Sequence, residues 1–177
     1  MIHNQDLFDL FHHKLRDMWF VEKKIHAALP KMADAAKSDA LRAALKKHEG
    51  ETERQMFRIG TIFGAINRPT KEGVSIALTA LLDECTEAIA NFRDTSALDV
   101  ALIAAAQVVE HYEITCYRTL KAWAEDLQIQ EAVELIDESL GEEEKTAAAL
   151  TELADELIAS RTRKDDDRSR RRGSHAA

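Results

Sequence analysis

Six side chains of the kinds that bind metal ions interrupt the apolar faces of the long helices that the sequence predicts. Each lies where the helical spacing of three and four residues would place a core residue. Glutamate is rarely buried unless it is paired, and burying several such groups without compensation is costly. The six residues are Glu22, His48, Glu51, Glu110, Glu113 and Glu143. Their positions predict a shared polar site in the interior.

The spacing and chemistry of these residues favour a metal site. His48 and Glu51 are three residues apart, as are Glu110 and Glu113, so each pair lies on one face of its helix. Carboxylate oxygens and an imidazole nitrogen are ligands that iron and manganese accept. The five carboxylates carry a total charge of −5, which the +4 charge of two divalent ions nearly cancels. Two transition-metal ions, iron or manganese, therefore fit better than a single Mg²⁺ or Ca²⁺.

Each candidate has an ordinary explanation when it is considered alone. Glu22 by itself would be an exposed or ion-paired carboxylate, and His48 a hydrogen-bonded residue near the core. For residues 110–113, a solvated helix face is the less favoured alternative. The joint pattern favours the di-metal site of ferritin-like bundles. Tyr117 and Trp19 lie close by in sequence, and core packing is their expected role; no residue is assigned a catalytic role.

The apolar periodicity divides the chain into five helical segments that position these residues. Four are long and the third is shorter, with the approximate ranges 6–28, 39–66, 73–91, 95–127 and 130–160. Pro30 predicts a break or kink, Thr95 and Ser96 predict the cap of the fourth helix, and the third helix carries no candidate site residue. Long antiparallel helices with short turns form bundles. The predicted fold class is all-α, a four-helix bundle of two antiparallel hairpins with the third helix as the crossover.

The predicted turns place the candidates at one level of the bundle. Residue 128, midway between Glu113 and Glu143, falls on the last turn, and the midpoint of Glu22 and Glu51 falls in the first connection. Each residue is then about 15 residues, or roughly 22 Å of helix, from its turn. Four helices therefore offer acidic side chains at the same height.

Composition and charge exclude several classes of protein. The 177 residues include only 6 Gly and 2 Pro, too few for a turn-rich all-β fold, and no Gly-rich phosphate-binding loop occurs. The net charge of −8 does not favour nucleic acid or acidic membranes as partners. Cys85 and Cys116 have no metal or redox spacing, and no apolar run reaches the ~18 residues of a membrane span. A soluble, cytoplasmic protein is expected.

Residues 161–177 differ from the rest of the chain. They carry seven basic and three acidic side chains, a net charge of +4, and show no apolar period. The predicted organisation is a helical bundle over residues 1–160 and a charged, disordered C-terminal tail over residues 161–177. A solvated end is the leading interpretation of the tail, and weak electrostatic contact with acidic partners or nucleic acid is the alternative.

The sequence resembles the YciE/YciF-type ferritin-like family of bacterial stress-associated proteins. The similarity covers about residues 4–158 and is carried by stretches 6–8, 22–23, 28–31, 48–52, 99–113 and 140–144. It implies a ferritin-like four-helix bundle with an extra helix, a dinuclear metal centre and a homodimer. By position, Glu22 matches the lone carboxylate of the first helix, and Glu110 and Glu113 resemble the paired carboxylates of rubrerythrin-like proteins.

The chain departs from the wider ferritin-like pattern at two places. The second helix has His48-x-x-Glu51 in place of Glu-x-x-His. In the fifth helix, Thr146 lies three residues after Glu143, at the position where a histidine is usual. The resemblance and the site predict a di-iron carboxylate protein whose metal ions react with a small oxidant, oxygen or peroxide. The alternative is a stress protein that binds metal in a structural or storage role without turnover. Oxidation of ferrous ions or consumption of peroxide by the metal-loaded protein distinguishes the two.

Overall fold

The computed structural model describes the backbone of residues 3–173 and the side chains of residues 3–160. Five α-helices form the regular structure of that range: α1 (Asn4–Ala35), α2 (Asp39–Ala65), α3 (Ile76–Phe92), α4 (Leu98–Asp126) and α5 (Gln130–Gly173). The predicted all-α class, with four long helices and a shorter third helix, is confirmed. Within residues 3–173, no helix combines the length and apolar character needed to cross a lipid bilayer.

Two antiparallel hairpins build the bundle, as the short turns predict. α1 packs against α2 and α4 against α5, and the hairpins meet where α2 packs on α5 and α1 packs on α4. Arg58 of α2 marks one of these contacts, since it pairs with Glu138 at 3.0 Å and with Glu142 at 2.8 Å on α5. α3 packs against both α4 and α1, so it lies over the seam between those two helices.

Apolar side chains at helical spacing fill the interior. The helices each contribute side chains with almost no exposed surface, including Leu15, Leu41, Leu78, Leu102 and Ile136. Burying one such side chain stabilises the fold by about 1.5–3 kcal/mol. The polar residues described below are therefore surrounded by a continuous apolar core.

The first helix does not end where the sequence predicts. α1 continues through Pro30 to Ala35, although a break was expected after Ala28. Proline removes one intrahelical hydrogen bond, but Leu29, Met32 and Ala33 on the same stretch are buried. Their packing compensates for the lost bond, so the predicted end of this helix is wrong.

The start of α4 is held by a residue other than the predicted caps. Ala97 is the N-cap and provides no side-chain cap, so the prediction of Thr95 and Ser96 is wrong. Asp99 in the first turn instead accepts backbone N–H groups from Lys37 and Ser38, each at 2.8 Å. This buried carboxylate ties the connection between α1 and α2 to the second hairpin.

The loop before α3 lies directly on α1. Gly73 donates its N–H to the carbonyl of Arg16 at 2.8 Å, and the N–H of Val74 donates to Asp17 Oδ1 at 3.1 Å. A Cβ on Gly73 would lie 2.7 Å from the backbone nitrogen of Asp17, closer than real Cβ contacts allow. Glycine is therefore needed here, and the close approach fixes where α3 begins beside α1.

The fifth helix extends past its predicted end near Ser160 and reaches Gly173. No glycine or proline interrupts residues 161–172, so nothing in the backbone chemistry forces the helix to stop at Ser160. That predicted end is wrong. The division of the chain at residue 160 stays a prediction, and the last four residues of the predicted tail lie outside the described range.

Candidate metal centre

The structure buries all six side chains that the sequence singles out. α1 supplies one of them, α2 and α4 two each, and α5 one. The exposed fraction is 0% for Glu22, Glu113 and Glu143, 2% for His48 and Glu110, and 6% for Glu51. Each interruption of an apolar stripe in the sequence is therefore a polar side chain inside the bundle. Their role as ligands stays a prediction.

Four of the six form a compact cluster. One donor atom from each of His48, Glu110, Glu113 and Glu143 lies within 4.8 Å of the others. His48 Nε2 is 3.1 Å from Glu110 Oε1 and 4.0 Å from Glu143 Oε2. Imidazole and carboxylate groups at such separations match the donor set that divalent transition metals accept. This buried cluster could bind a metal ion.

The other two candidates border the cluster. Glu51 Oε2 lies 3.9 Å from His48 Nδ1 and accepts a hydrogen bond from Thr146 Oγ1 at 3.4 Å. Its other oxygen pairs with Lys47, whose side chain is 64% exposed. Thr146 thus contacts the site at the position where the ferritin-like pattern has a histidine. Glu22 accepts a hydrogen bond from the Tyr117 hydroxyl.

Two residues that support the carboxylates were not predicted in that role. Tyr117 is buried in the core as expected, but its hydroxyl also orients Glu22. Gln55 was missed; its side-chain amide donates to Glu143 Oε1 and, at 3.2 Å, to Glu142 Oε2. Gln55 lies four residues after Glu51, hence on the same face of α2. This spacing is the feature of the sequence from which the role of Gln55 could have been predicted.

Many atoms of the site that could bind a metal ion have no hydrogen-bond partner within the protein. Buried polar atoms are nearly always hydrogen-bonded, so a group of exceptions requires an explanation. Although His48 Nε2 is close to Glu110, the two are not aligned as a hydrogen bond. The atoms without a hydrogen-bond partner are Glu22 Oε2, His48 Nδ1 and Nε2, Glu110 Oε2, both carboxylate oxygens of Glu113, and Glu143 Oε2. Metal ions would satisfy such a set, so these residues fit the group that the fold family implies.

Burial raises the pKa values of the site carboxyls. Burial is the largest cause for Glu22, Glu113 and Glu143, whose pKa values lie well above the ordinary value, and repulsion from neighbouring carboxylates adds to it. Burial also raises the pKa of Glu110 to about 7. At neutral pH the metal-free site therefore holds protons, which metal ions must displace in order to bind.

Comparisons with known proteins identify the family. The family described as "Domain of unknown function (DUF892)" matches residues 6–163. Protein YciF of Escherichia coli (strain K12) is 40% identical over 147 residues, which are 82% of this chain and 89% of that protein.

Two solved structures have the same fold. The crystal structure of the E. coli stress protein YciF gives a TM-score of 0.83 at 38% identity and covers 86% of this chain and 97% of that one. YcfI from Rhodopseudomonas palustris gives a TM-score of 0.78 at 37% identity, with coverage of 82% and 92%. The fold is therefore that of a ferritin-like helical bundle. The chain belongs to the DUF892 family and is a relative of the stress protein YciF.

Proposed function

We propose that this protein is a stress-related, carboxylate-bridged di-metal protein of the ferritin and rubrerythrin type, with iron as its metal and manganese as the alternative ion. The observation that carries the proposal is the group of buried donor atoms without protein partners, above all the two oxygens of Glu113. An apolar or structural role would not require five carboxylates and an imidazole at one level of the core. The relationship to a stress protein supports the physiological setting.

The ligand set follows from the burial and the spacing. Glu22, His48, Glu51, Glu110, Glu113 and Glu143 would hold the two ions. When bound, two ferrous ions supply two electrons that, with two protons, reduce dioxygen to hydrogen peroxide, or hydrogen peroxide to water.

The chain's own residues orient the ligands. Tyr117 and Gln55 each donate a hydrogen bond to one oxygen of a site carboxylate, which leaves the second oxygen of Glu22 and of Glu143 free for a metal ion. Such supporting hydrogen bonds fix the orientation of metal ligands and tune affinity. The raised pKa of Tyr117, caused first by burial and then by Glu22, keeps its hydroxyl protonated as the donor.

A protein that binds metal without turnover, in a structural or storage role, is the second candidate. The observation in its favour is the single imidazole of the set, since Thr146 replaces the second histidine of the ferritin-like pattern. Comparing ferrous oxidation by the loaded protein with that by free iron tests it. A rate no higher than that of free iron would support the non-catalytic role.

The first experiment measures metal content. The purified chain, reconstituted with Fe(II) or Mn(II) without oxygen, is expected to hold about two ions, as di-metal bundles do. Glu143→Gln is expected to lower this content, whereas Glu144→Gln, at an exposed neighbour paired with Arg118, is the matched control and leaves it unchanged. Less than about half an ion per chain after reconstitution would refute the proposal.

Assembly and location are further parts of the proposal. We propose a homodimer in the cytoplasm, on the basis of the family resemblance, with a small oxidant as the reacting partner and at most weak contact of the tail with nucleic acid. Light scattering coupled to gel filtration tests the dimer. A monomer mass near 19.9 kDa would refute it.

A further inference from the structure

A groove lies on the surface between α1 and α3. It has a volume of about 1120 Å³, with lysines, arginine and aspartates such as Lys24, Lys31 and Arg93 among its lining residues. Its less exposed lining is apolar and includes Ala28, Met32, Leu82 and Cys85. A groove of this kind allows small molecules from solvent to reach an apolar surface.

A second, much smaller cavity lies behind that surface. It measures about 10 Å³ and is lined by the same four residues of the groove, together with Ile25, Leu29, Ala106, Val109 and Glu110. Room of this size is about that of a single water-sized molecule. Glu110 is the one charged residue in this lining, and its Oε2 has no protein partner. The cavity therefore lies between the groove, with which it shares walls, and a member of the candidate metal cluster.

The extra helix α3 forms the outer wall of this small cavity. It packs on both α1 and α4, and its residues Leu82 and Cys85 line the groove and the cavity alike. Cys85 is 3% exposed, and its thiol is uncharged at neutral pH because burial raises its pKa to about 11. The constriction between the two spaces is therefore apolar and uncharged. The sequence assigned no candidate site residue to this helix.

We propose that this groove and cavity form an access route that admits dioxygen, in preference to hydrogen peroxide, to the metal centre, with Leu82 and Cys85 as its constriction. The inference rests on the proposed function and names the oxidant. Dioxygen makes no strong hydrogen bonds and enters an apolar cavity readily. Hydrogen peroxide would give up its hydrogen bonds to water and find almost no polar partner there, which is unfavourable.

The first experiment uses dissolved dioxygen itself, which is paramagnetic, with the full metal-free chain. Methyl resonances of Ile25, Leu82 and Val109 are expected to relax faster as the dioxygen pressure is raised, because these residues line the cavity. Cys85→Leu fills the cavity and is expected to abolish this effect. Ala88→Val is the matched control, since Ala88 is buried on the same helix but lines neither space.

A second variant, on the opposite wall of the cavity, keeps the test valid if Cys85→Leu misfolds. Ala28→Leu narrows the same constriction from α1, where the side chain is only half-buried and more space is available. It is expected to weaken the relaxation effect of dioxygen as Cys85→Leu does. Absence of this effect in the unaltered protein, or an effect unchanged in both variants, would overturn the route.

The second experiment measures oxidation of the ferrous-loaded protein. Both narrowing variants are expected to slow oxidation by dioxygen by about fivefold or more, since closing a gate acts on rate, with iron content unchanged. Oxidation by hydrogen peroxide is expected to change little. Equal slowing with both oxidants would overturn the preference for dioxygen.

Failure of the proposed function gives a different result. If the unaltered protein binds no iron, or if neither oxidant reacts with it faster than with free iron, the proposed reaction is refuted. Dioxygen is then no longer assigned as its substrate. The relaxation effect of dioxygen on the methyl groups does not depend on metal, so it still decides whether the apolar route exists.

Discussion

His48 Nε2 lies 3.1 Å from Glu110 Oε1, across the interior between α2 and α4. Because the two helices belong to different hairpins, this approach depends on both hairpins placing their polar residues at the same height. Both side chains are almost completely buried. The pair therefore lies where the two halves of the bundle meet, at the candidate metal centre, and occupancy of this centre by metal should control the stability of the fold.

Metal loading is expected to raise the melting temperature at neutral pH. A ligand that binds only the native state adds RT ln(1 + [L]/Kd), about 3–4 kcal/mol at about 100–1,000 times Kd. The ions also remove repulsion among the buried carboxylates. Calorimetry with and without Fe(II), in the absence of oxygen, measures the change. Identical melting curves, with the site shown to be full by elemental analysis, would contradict a buried metal centre.

The metal-free protein is expected to be more stable at about pH 5 than at neutral pH. Glu110 has a pKa of about 7 in the folded chain against an ordinary value of 4.5, and burial raises the pKa of Glu113 as well. The folded state therefore keeps protons that the unfolded chain has already released. The contribution of these bound protons to the free energy of unfolding is fully present below pH 4.5 and is lost as the pH rises through 7.

Urea unfolding of the metal-free protein at several pH values measures this effect. One pKa unit corresponds to about 1.4 kcal/mol, so the shift at Glu110 alone corresponds to roughly 3 kcal/mol. Saturating metal is expected to remove the loss of stability at neutral pH. A stability of the metal-free chain that rises steadily between about pH 5 and 7 would rule out buried, protonated carboxyls.

Gly73→Ala is expected to destabilise the protein by about 1–3 kcal/mol. The added Cβ would meet the backbone of Arg16 and Asp17, which cannot move as a flexible side chain can. The loop would shift, and its hydrogen bond to the Arg16 carbonyl would weaken. Gly64→Ala is the control, because an added Cβ there meets nothing within 4 Å and alanine favours the helix. Equal stability of the two variants would show that the loop does not depend on this close contact.

Asp99→Asn is expected to cost about 1.5–3 kcal/mol, the range for hydrogen bonds to a charged group. Asp99 accepts two backbone N–H groups at 2.8 Å, whereas asparagine has only one oxygen and would direct an NH₂ group at the second donor. Thermal unfolding measures the loss. Asp83→Asn, at an exposed position of α3, should change stability by less than about 0.5 kcal/mol. A similar small change at Asp99 would contradict its role in joining the hairpins.

The sequence predicts the bundle and the level of the site because both depend on local periodicity. The turn at residue 128 is where the spacing of Glu113 and Glu143 requires it, and Gln128 adopts a positive φ of 57° there. Helical spacing alone also places each polar candidate on a buried face. These properties need no knowledge of which side chains meet across the bundle.

The features that the sequence does not predict depend on contacts between distant segments. Pro30 stays within α1 because tertiary packing of the residues that follow it outweighs one lost hydrogen bond. Gln55 supports Glu143 from another helix, and Gly73 is required by a loop lying on α1. The position of α3 over the seam, and hence the route past Cys85, follows from the same kind of packing.

Glu113→Gln should separate the metal site from an ordinary buried carboxylate. Glu113 is completely buried, neither oxygen has a protein partner, and burial followed by repulsion from Glu143 raises its pKa. Glutamine keeps the shape of the side chain, carries no charge at any pH, and its amide can donate to a neighbouring carboxylate. The metal-free variant should therefore be no less stable than the metal-free parent at neutral pH.

The same variant should lose most of the rise in melting temperature that metal produces, because one ligand of the site is gone. Glu144→Gln is the matched control on α5, where the side chain is 47% exposed and pairs with Arg118 at 2.6 Å. An exposed ion pair contributes about 0–1 kcal/mol, so this variant should keep the full effect of metal. Calorimetry of the three proteins with and without metal gives the comparison. If Glu113→Gln destabilises the metal-free chain and keeps the response to metal, Glu113 is a structural carboxylate and not a ligand.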